Sequence, residues 1–150
     1  MTDPRNDIAE LIYTYGEMVD TGNFDGIGEM FAHAEITTEG FGEVRRGTSA
    51  VVAMYEATTR RYEDDGTPKT KHVMTNVIVQ VDEDAGTATS RSYFTVLQAV
   101  PGAVALQPIV AGRYRHHFER VQGVWRIAGM HIIVDLVGDV SHHLLIDIGD

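Results

Sequence analysis

Two residues of this 150-residue chain are candidates for acid–base chemistry, because each sits where packing alone does not ask for it. Asp20, within YGEMVDTGNFDGIGEMF (residues 15–31), falls in the last turn of a predicted helix. A carboxylate there faces the negative end of the helix macrodipole, at a cost of roughly 0.3–1 kcal/mol. Asn23 and Asp25 already serve the start of the next helix, so Asp20 is not needed as its cap. His72 opens the first long predicted strand on a face shared with Met74, Asn76 and Ile78, whereas Val73, Thr75, Val77 and Val79 form the other. The mixed face suits a cleft under the helices, and the smooth one suits a contact with another sheet or subunit. A histidine with a pKa near about 6.5 accepts a proton at neutral pH, and a carboxylate on its other ring nitrogen fixes the tautomer and stabilises the imidazolium. Taken singly, each has a plainer explanation, a turn carboxylate near water and a strand-edge histidine.

The elements that must position these groups are legible from periodicity. Ile8, Leu11, Ile12, Tyr15, Met18 and Val19 recur at helical spacing, so an amphipathic helix is predicted from Asn6 or Asp7 and should end at Gly22. Asn23 then caps a short second helix, two short strands meet around Gly40 or Gly42, and a third helix runs from near Thr48 through SAVVAMYEATTRRYE. Its expected buried stripe is Val51, Val52, Tyr55, Thr58 and Tyr62. The second half alternates in KHVMTNVIVQV, TATSRSYFTVLQAV, PIVAGRYRHHFERV and VWRIAGMHIIVDL, which predicts four long strands, with PGAVALQP as a longer connection. Helices followed by a strand meander imply an α+β fold with the helices on one face of a curved sheet. One domain is expected over residues 1–150, with a core at about 6–137 and a mixed tail at 138–150 that covers a pocket mouth, crosses to a neighbour or frays.

Composition removes several classes of function. Twelve Lys and Arg stand against 22 Asp and Glu, a net charge of −10, so nucleic acid is not an expected partner. The absence of cysteine excludes disulfides and a thiol nucleophile. No run approaches the roughly 18 apolar residues of a membrane span, and a cytoplasmic location is expected. His116 and His117 are adjacent on a strand, face opposite ways and cannot chelate together, so no metal is expected.

The spacing of MVDTGNFDGIGEMF, TKHVMTNV and GRYRHHFERVQGVWRIAGMH resembles the SnoaL-like branch of the nuclear-transport-factor-two-like superfamily. The likeness is greatest to scytalone dehydratase, bile-acid dehydratase and lindane dehydrochlorinase. It implies a cone-shaped α+β fold, three N-terminal helices on a strongly curved, mixed, mostly antiparallel sheet enclosing an apolar cavity, and eliminations run without a cofactor. It maps the family's Asp–His dyad onto Asp20 and His72, and the bile-acid dehydratase tyrosine onto Tyr15. Simple wheel geometry puts Tyr15 about 140° from Asp20, so both reach one cavity only if the helix is ending there. The second scytalone dehydratase histidine falls near Leu97 and its pocket asparagine near Tyr114. The arginines of bile-acid dehydratase and of some dehydrochlorinases fall at Val134 and Met130, so scytalone itself and anionic or halogenated substrates lose support.

The expected catalytic residues are Asp20, His72 and Tyr15, and the expected pocket wall is Phe24, Tyr55, Asn76, Tyr93, Tyr114, His116, Met130 and Val134. A hydroxyl from Tyr15, Tyr93 or Tyr114 would meet a developing enolate oxygen. The expected function is a dehydratase-type lyase acting on a small apolar cyclic molecule. The alternatives are a non-catalytic binding or assembly subunit, like the small subunit of aromatic-ring dioxygenases, and an isomerase or polyketide cyclase. A homo-oligomer, dimer or trimer, is expected from the apolar face bearing Val73, Val77 and Val79.

Overall fold

A computed structural model describes residues 3–149; residues 1, 2 and 150 of the expected domain lie outside the described residues. Helix α1 (Pro4–Asp20) begins where the Asp3 side chain accepts the Arg5 N–H and Pro4 occupies the first turn. It ends at Gly22, whose φ of 71° a side chain would resist, and the Asn23 N–H closes the turn on the Met18 carbonyl at 2.9 Å. Asn23 then accepts the Gly26 N–H at 2.9 Å and caps α2 (Phe24–Met30). Helix α3 (Gly47–Thr58) buries Val51 and Tyr55 but stops before Tyr62, shorter than the periodicity predicts. Thr59 is extended because it bridges to Leu144 of the tail, an interaction invisible to local propensity.

Six strands form one mixed sheet in the order β2-β1-β6-β5-β4-β3. They are β1 (Glu35–Thr38), β2 (Phe41–Arg46), β3 (Thr70–Asp82), β4 (Thr87–Val100), β5 (Val104–Val121) and β6 (Val124–Val137). Only β1 and β6 pair in parallel, and β2 and β3 remain as open edges. Strand β5 begins at Val104, so most of the segment expected as a connection is strand, paired through Val100↔Val104 beyond a register shift. The three helices cover one face, where Ile8, Ile12, Tyr15, Phe24, Ile27 and Val51 pack on Phe94, Tyr114, Phe118, Ile127 and Met130. This is the α+β arrangement expected from the order of elements.

One strand does not obey simple alternation. Between Thr75↔Tyr93 and Ile78↔Arg91, β3 advances three residues while β4 advances two. The extra residue makes a bulge at Asn76, whose φ of 53° an asparagine tolerates better than most side chains. Side-chain parity therefore reverses. His72 and Met74 face the helices before the bulge; Val77, Val79 and Val81 face them after it and pack against the core. The expected apolar outer face of Val73, Val77 and Val79 is thus corrected to Val73, Ile78 and Tyr93, which are 39%, 46% and 52% exposed.

Gly16 sets how closely α1 approaches β3. A Cβ there would lie 3.0 Å from the Met74 methyl and 3.3 Å from the His72 Cβ. The close approach brings the end of α1 over the start of β3, one helical turn from Asp20. Gly16→Val should wedge the two apart and lower stability by about 1–3 kcal/mol, read as a shift in the urea midpoint.

Candidate active site

Asp20 and His72 meet at the junction of α1 and β3. The His72 Nδ1–H donates to Asp20 Oδ1 at 2.6 Å, the His72 backbone N–H donates to Oδ2 at 2.7 Å, and the Thr70 hydroxyl donates to Oδ1 at 2.8 Å. The two side chains are only 6% and 8% exposed. Burial raises the Asp20 pKa, but the hydrogen bonds and charge of His72 and the Thr70 bond outweigh it, and the carboxyl is held below its usual range. Asp20 is therefore ionised at neutral pH, aligns the ring through Nδ1 and leaves Nε2 as the nitrogen able to take a proton. A recess of about 490 Å³ reaches the pair between α1 and β3, bordered by Tyr13, Glu17, Lys71 and Met74.

Tyr15 lies behind the pair in an aromatic cluster. Its ring stands edge-on to Phe31, Tyr55 and Tyr114 at 5.8–6.4 Å, and its hydroxyl is hydrogen-bonded to that of Tyr55. Burial is the main reason its pKa rises to about 12, with the bonds to Tyr55 and Tyr114 opposing and the Asp20 charge adding to the rise. Burial also raises Tyr55 and Tyr114 well above 10.0, and Tyr15 reinforces both shifts. All three hydroxyls stay protonated at neutral pH and can act as donors, and the negative charge of Asp20 helps to raise both Tyr15 and Tyr114.

The other expected wall residues divide. Phe24, Tyr55, Tyr114, His116 and Met130 are buried under the helices. Asn76 is exposed in the bulge and Tyr93 lies on the outer face, because β4 alternates and its inner residues are Ser90, Ser92, Phe94 and Val96. Val134, opposite Gly112, is 37% exposed rather than buried. The expectation that these three line an interior wall is corrected by their positions. His116 and His117 face opposite ways, buried and exposed, and no group of three or more His, Cys, Asp or Glu able to hold a metal occurs among the described residues.

Sequence reasoning missed four inward-facing groups. Thr70 shares the Asp20 carboxylate, and only the folded register reveals it. Ser90 and Ser92 stand opposite His116 and Tyr114, and neither their hydroxyls nor either His116 ring nitrogen has a hydrogen-bond partner. Strict alternation along TATSRSYF was a usable signal for the two serines. His143, brought in by the tail, also has an unpartnered buried Nδ1. Each such atom costs about 1–3 kcal/mol unless water or a ligand reaches it.

Residues 2–131 match the SnoaL-like domain family. Among solved structures, an NTF2-like protein with a cystatin-like fold from Novosphingobium aromaticivorans superposes with a TM-score of 0.70 at 23% identity, over 92% of this chain and 85% of that one. From the same organism, a protein provisionally named scytalone dehydratase gives 0.68 at 17% identity, covering 89% of this chain and 85% of its own. The β subunit provisionally assigned to an aromatic-ring-hydroxylating dioxygenase there gives 0.67 at 15%, with 89% and 90% covered. Likeness at these identities establishes the fold. No curated protein sequence is significantly similar to this chain.

Acid stability tests the interior. Burial lowers the His116 pKa to about 3, with His117 contributing, and the His143 pKa to about 4, where His72 adds to the shift and Asp20 opposes it. Between pH 6.5 and about 4 the unfolded chain binds protons at both positions that the folded chain refuses. Stability should therefore fall with falling pH by about 1.4 kcal/mol per unit for each histidine. Asp20, with its lowered pKa, loses its contribution only below this window, past 3.8. Urea midpoints at several pH values should show the slope roughly halved in His116→Phe. With this match over most of its length, the chain belongs to the SnoaL-like domain family.

Proposed function

We propose that this chain is a cofactor-free lyase of the dehydratase type, acting on a small, mostly apolar cyclic compound that carries a carbonyl. The supporting observation is the Asp20 carboxylate, which accepts three hydrogen bonds at 2.6–2.8 Å, two of them from His72. An acid serving only as a turn residue does not need to be buried against a ring nitrogen. Family membership and the fold shared with a protein provisionally named scytalone dehydratase support the same reading.

The reaction follows from the protonation states. His72 Nε2 takes the proton next to the carbonyl while Asp20 balances the imidazolium. The C–H electron pair forms the new C=C bond and the carbonyl pair moves onto oxygen, where a neutral hydroxyl of the tyrosine cluster donates. The enolate then collapses, the β C–O bond breaks, and the leaving hydroxide takes the proton back from His72 as water. The same base with a different proton return gives an isomerase or cyclase. The reading as a non-catalytic assembly subunit rests on fold likeness alone and leaves the Asp20 arrangement unexplained.

A small carbon acid tests the base directly. With 5-nitrobenzisoxazole, removal of the ring C–H proton breaks the N–O bond and yields a nitrile and a coloured phenolate. The protein should accelerate this ring opening, and His72→Ala or Asp20→Asn should reduce the rate about 10²–10⁴-fold. Equal rates in the wild type and both folded variants would remove the proposed base. Stoichiometric purification with an oxygenase subunit would favour the assembly reading instead. Association of copies through the outer face is a further part of the proposal. Tyr93→Lys should then reduce the mass measured by sedimentation equilibrium, and a wild type that sediments as a monomer contradicts it.

A further inference from the structure

The C-terminal segment after β6 brings a second imidazole beside the first. The Tyr62 hydroxyl donates to the His142 carbonyl at 2.6 Å, and Gln98 Nε2 donates to the same carbonyl at 3.1 Å and to that of Pro68 at 3.0 Å. The Arg60 N–H donates to the His143 carbonyl at 2.8 Å and the Leu145 N–H to that of Thr58 at 2.9 Å. This backbone path points the two adjacent histidines in opposite senses. His142 turns outward to Ser141 and Asp139, whereas the His143 ring is buried edge-on to His72 with centres 6.3 Å apart. Its Nδ1 is out of reach of solvent and has no protein partner.

A segment that only sealed the fold would favour an apolar side chain at this place, because an unpaired polar nitrogen is costly to bury. We propose that His143 is a catalytic hydrogen-bond donor that binds the substrate oxygen on which negative charge develops when His72 removes the proton. This assignment rests on the Asp20–His72 base proposed above and adds a second donor to the oxygen that a tyrosine hydroxyl already meets. Burial is the main reason the His143 pKa falls to about 4, with the neighbouring His72 adding to the fall and Asp20 opposing it. The ring is therefore neutral at neutral pH, with one N–H to donate and no proton to lose during the step. The enolate oxygen accepts this hydrogen bond, the proton shuttles only through His72, and His143 begins and ends the cycle unchanged. A buried neutral donor stabilises the charge without diverting the reaction into simple protonation.

The test uses 4-nitrophenol, whose absorbance reports its ionisation and whose oxygen stands in for the enolate. Bound to the wild type, its apparent pKa should fall below that of the free phenol. His143→Phe should lower the bound phenolate fraction at fixed pH about tenfold. His143→Gln, which restores an N–H donor, should recover most of it. His72→Ala should retain the shift, so failure of the base, read with 5-nitrobenzisoxazole, is distinct from failure of the donor. Absence of saturable binding, an unchanged shift in His143→Phe, or no recovery in His143→Gln would overturn the proposal. Should His143→Phe fail to fold, NMR of the wild type decides: the His143 ring N–H signal moves downfield on binding, and an unmoved signal overturns the assignment.

Discussion

The carboxylate of Asp20 is the constraint around which the rest is arranged. A negative charge at the end of α1 works against the helix dipole by roughly 0.3–1 kcal/mol. A single hydrogen bond to a charged group is worth about 1.5–3 kcal/mol, and Asp20 accepts three of them, all from residues 70 and 72 of β3. The balance therefore favours the docked acid. The same bonds tie the end of the first helix to the beginning of the first long strand, and Gly16 provides the close approach that makes them geometrically possible. Stability and the orientation of the imidazole thus depend on one contact.

Behind that contact the interior is neither uniformly apolar nor uniformly paired. Phe24, Phe31 and Phe94 pack against three tyrosines, two of them joined hydroxyl to hydroxyl, while Ser90, Ser92 and His116 lie on the sheet wall without partners. A core optimised only for packing would replace these serines and this histidine with aliphatic groups. Their presence fits a wall that meets oxygen atoms of water or of a bound compound.

Much of this was legible beforehand. The helical stripe from Ile8 to Val19, the Gly22–Asn23 junction and the alternation of the later strands each follow from local periodicity and turn chemistry. The meeting of Asp20 with His72 followed only from resemblance, because a separation of 52 positions along the chain encodes no distance. What escaped were the effects of single residues and of nonlocal pairing. Asn76 at positive φ inverts the inward-facing set of β3 and moves the apolar outer patch to other residues. Leu144 halts α3 from across the chain, and the turn of the tail decides which of two neighbouring histidines enters the interior.

The bulge at Asn76 also divides β3 into two halves with different contacts. Positions 70, 72 and 74 contact the acid and the end of α1, whereas positions 77, 79 and 81 fill the hydrophobic interior. Substitutions in one half have few shared neighbours with the other, so their energetic effects should combine additively. A lineage can thus exchange the polar groups at the near end of this strand while inheriting the packing of its far end intact.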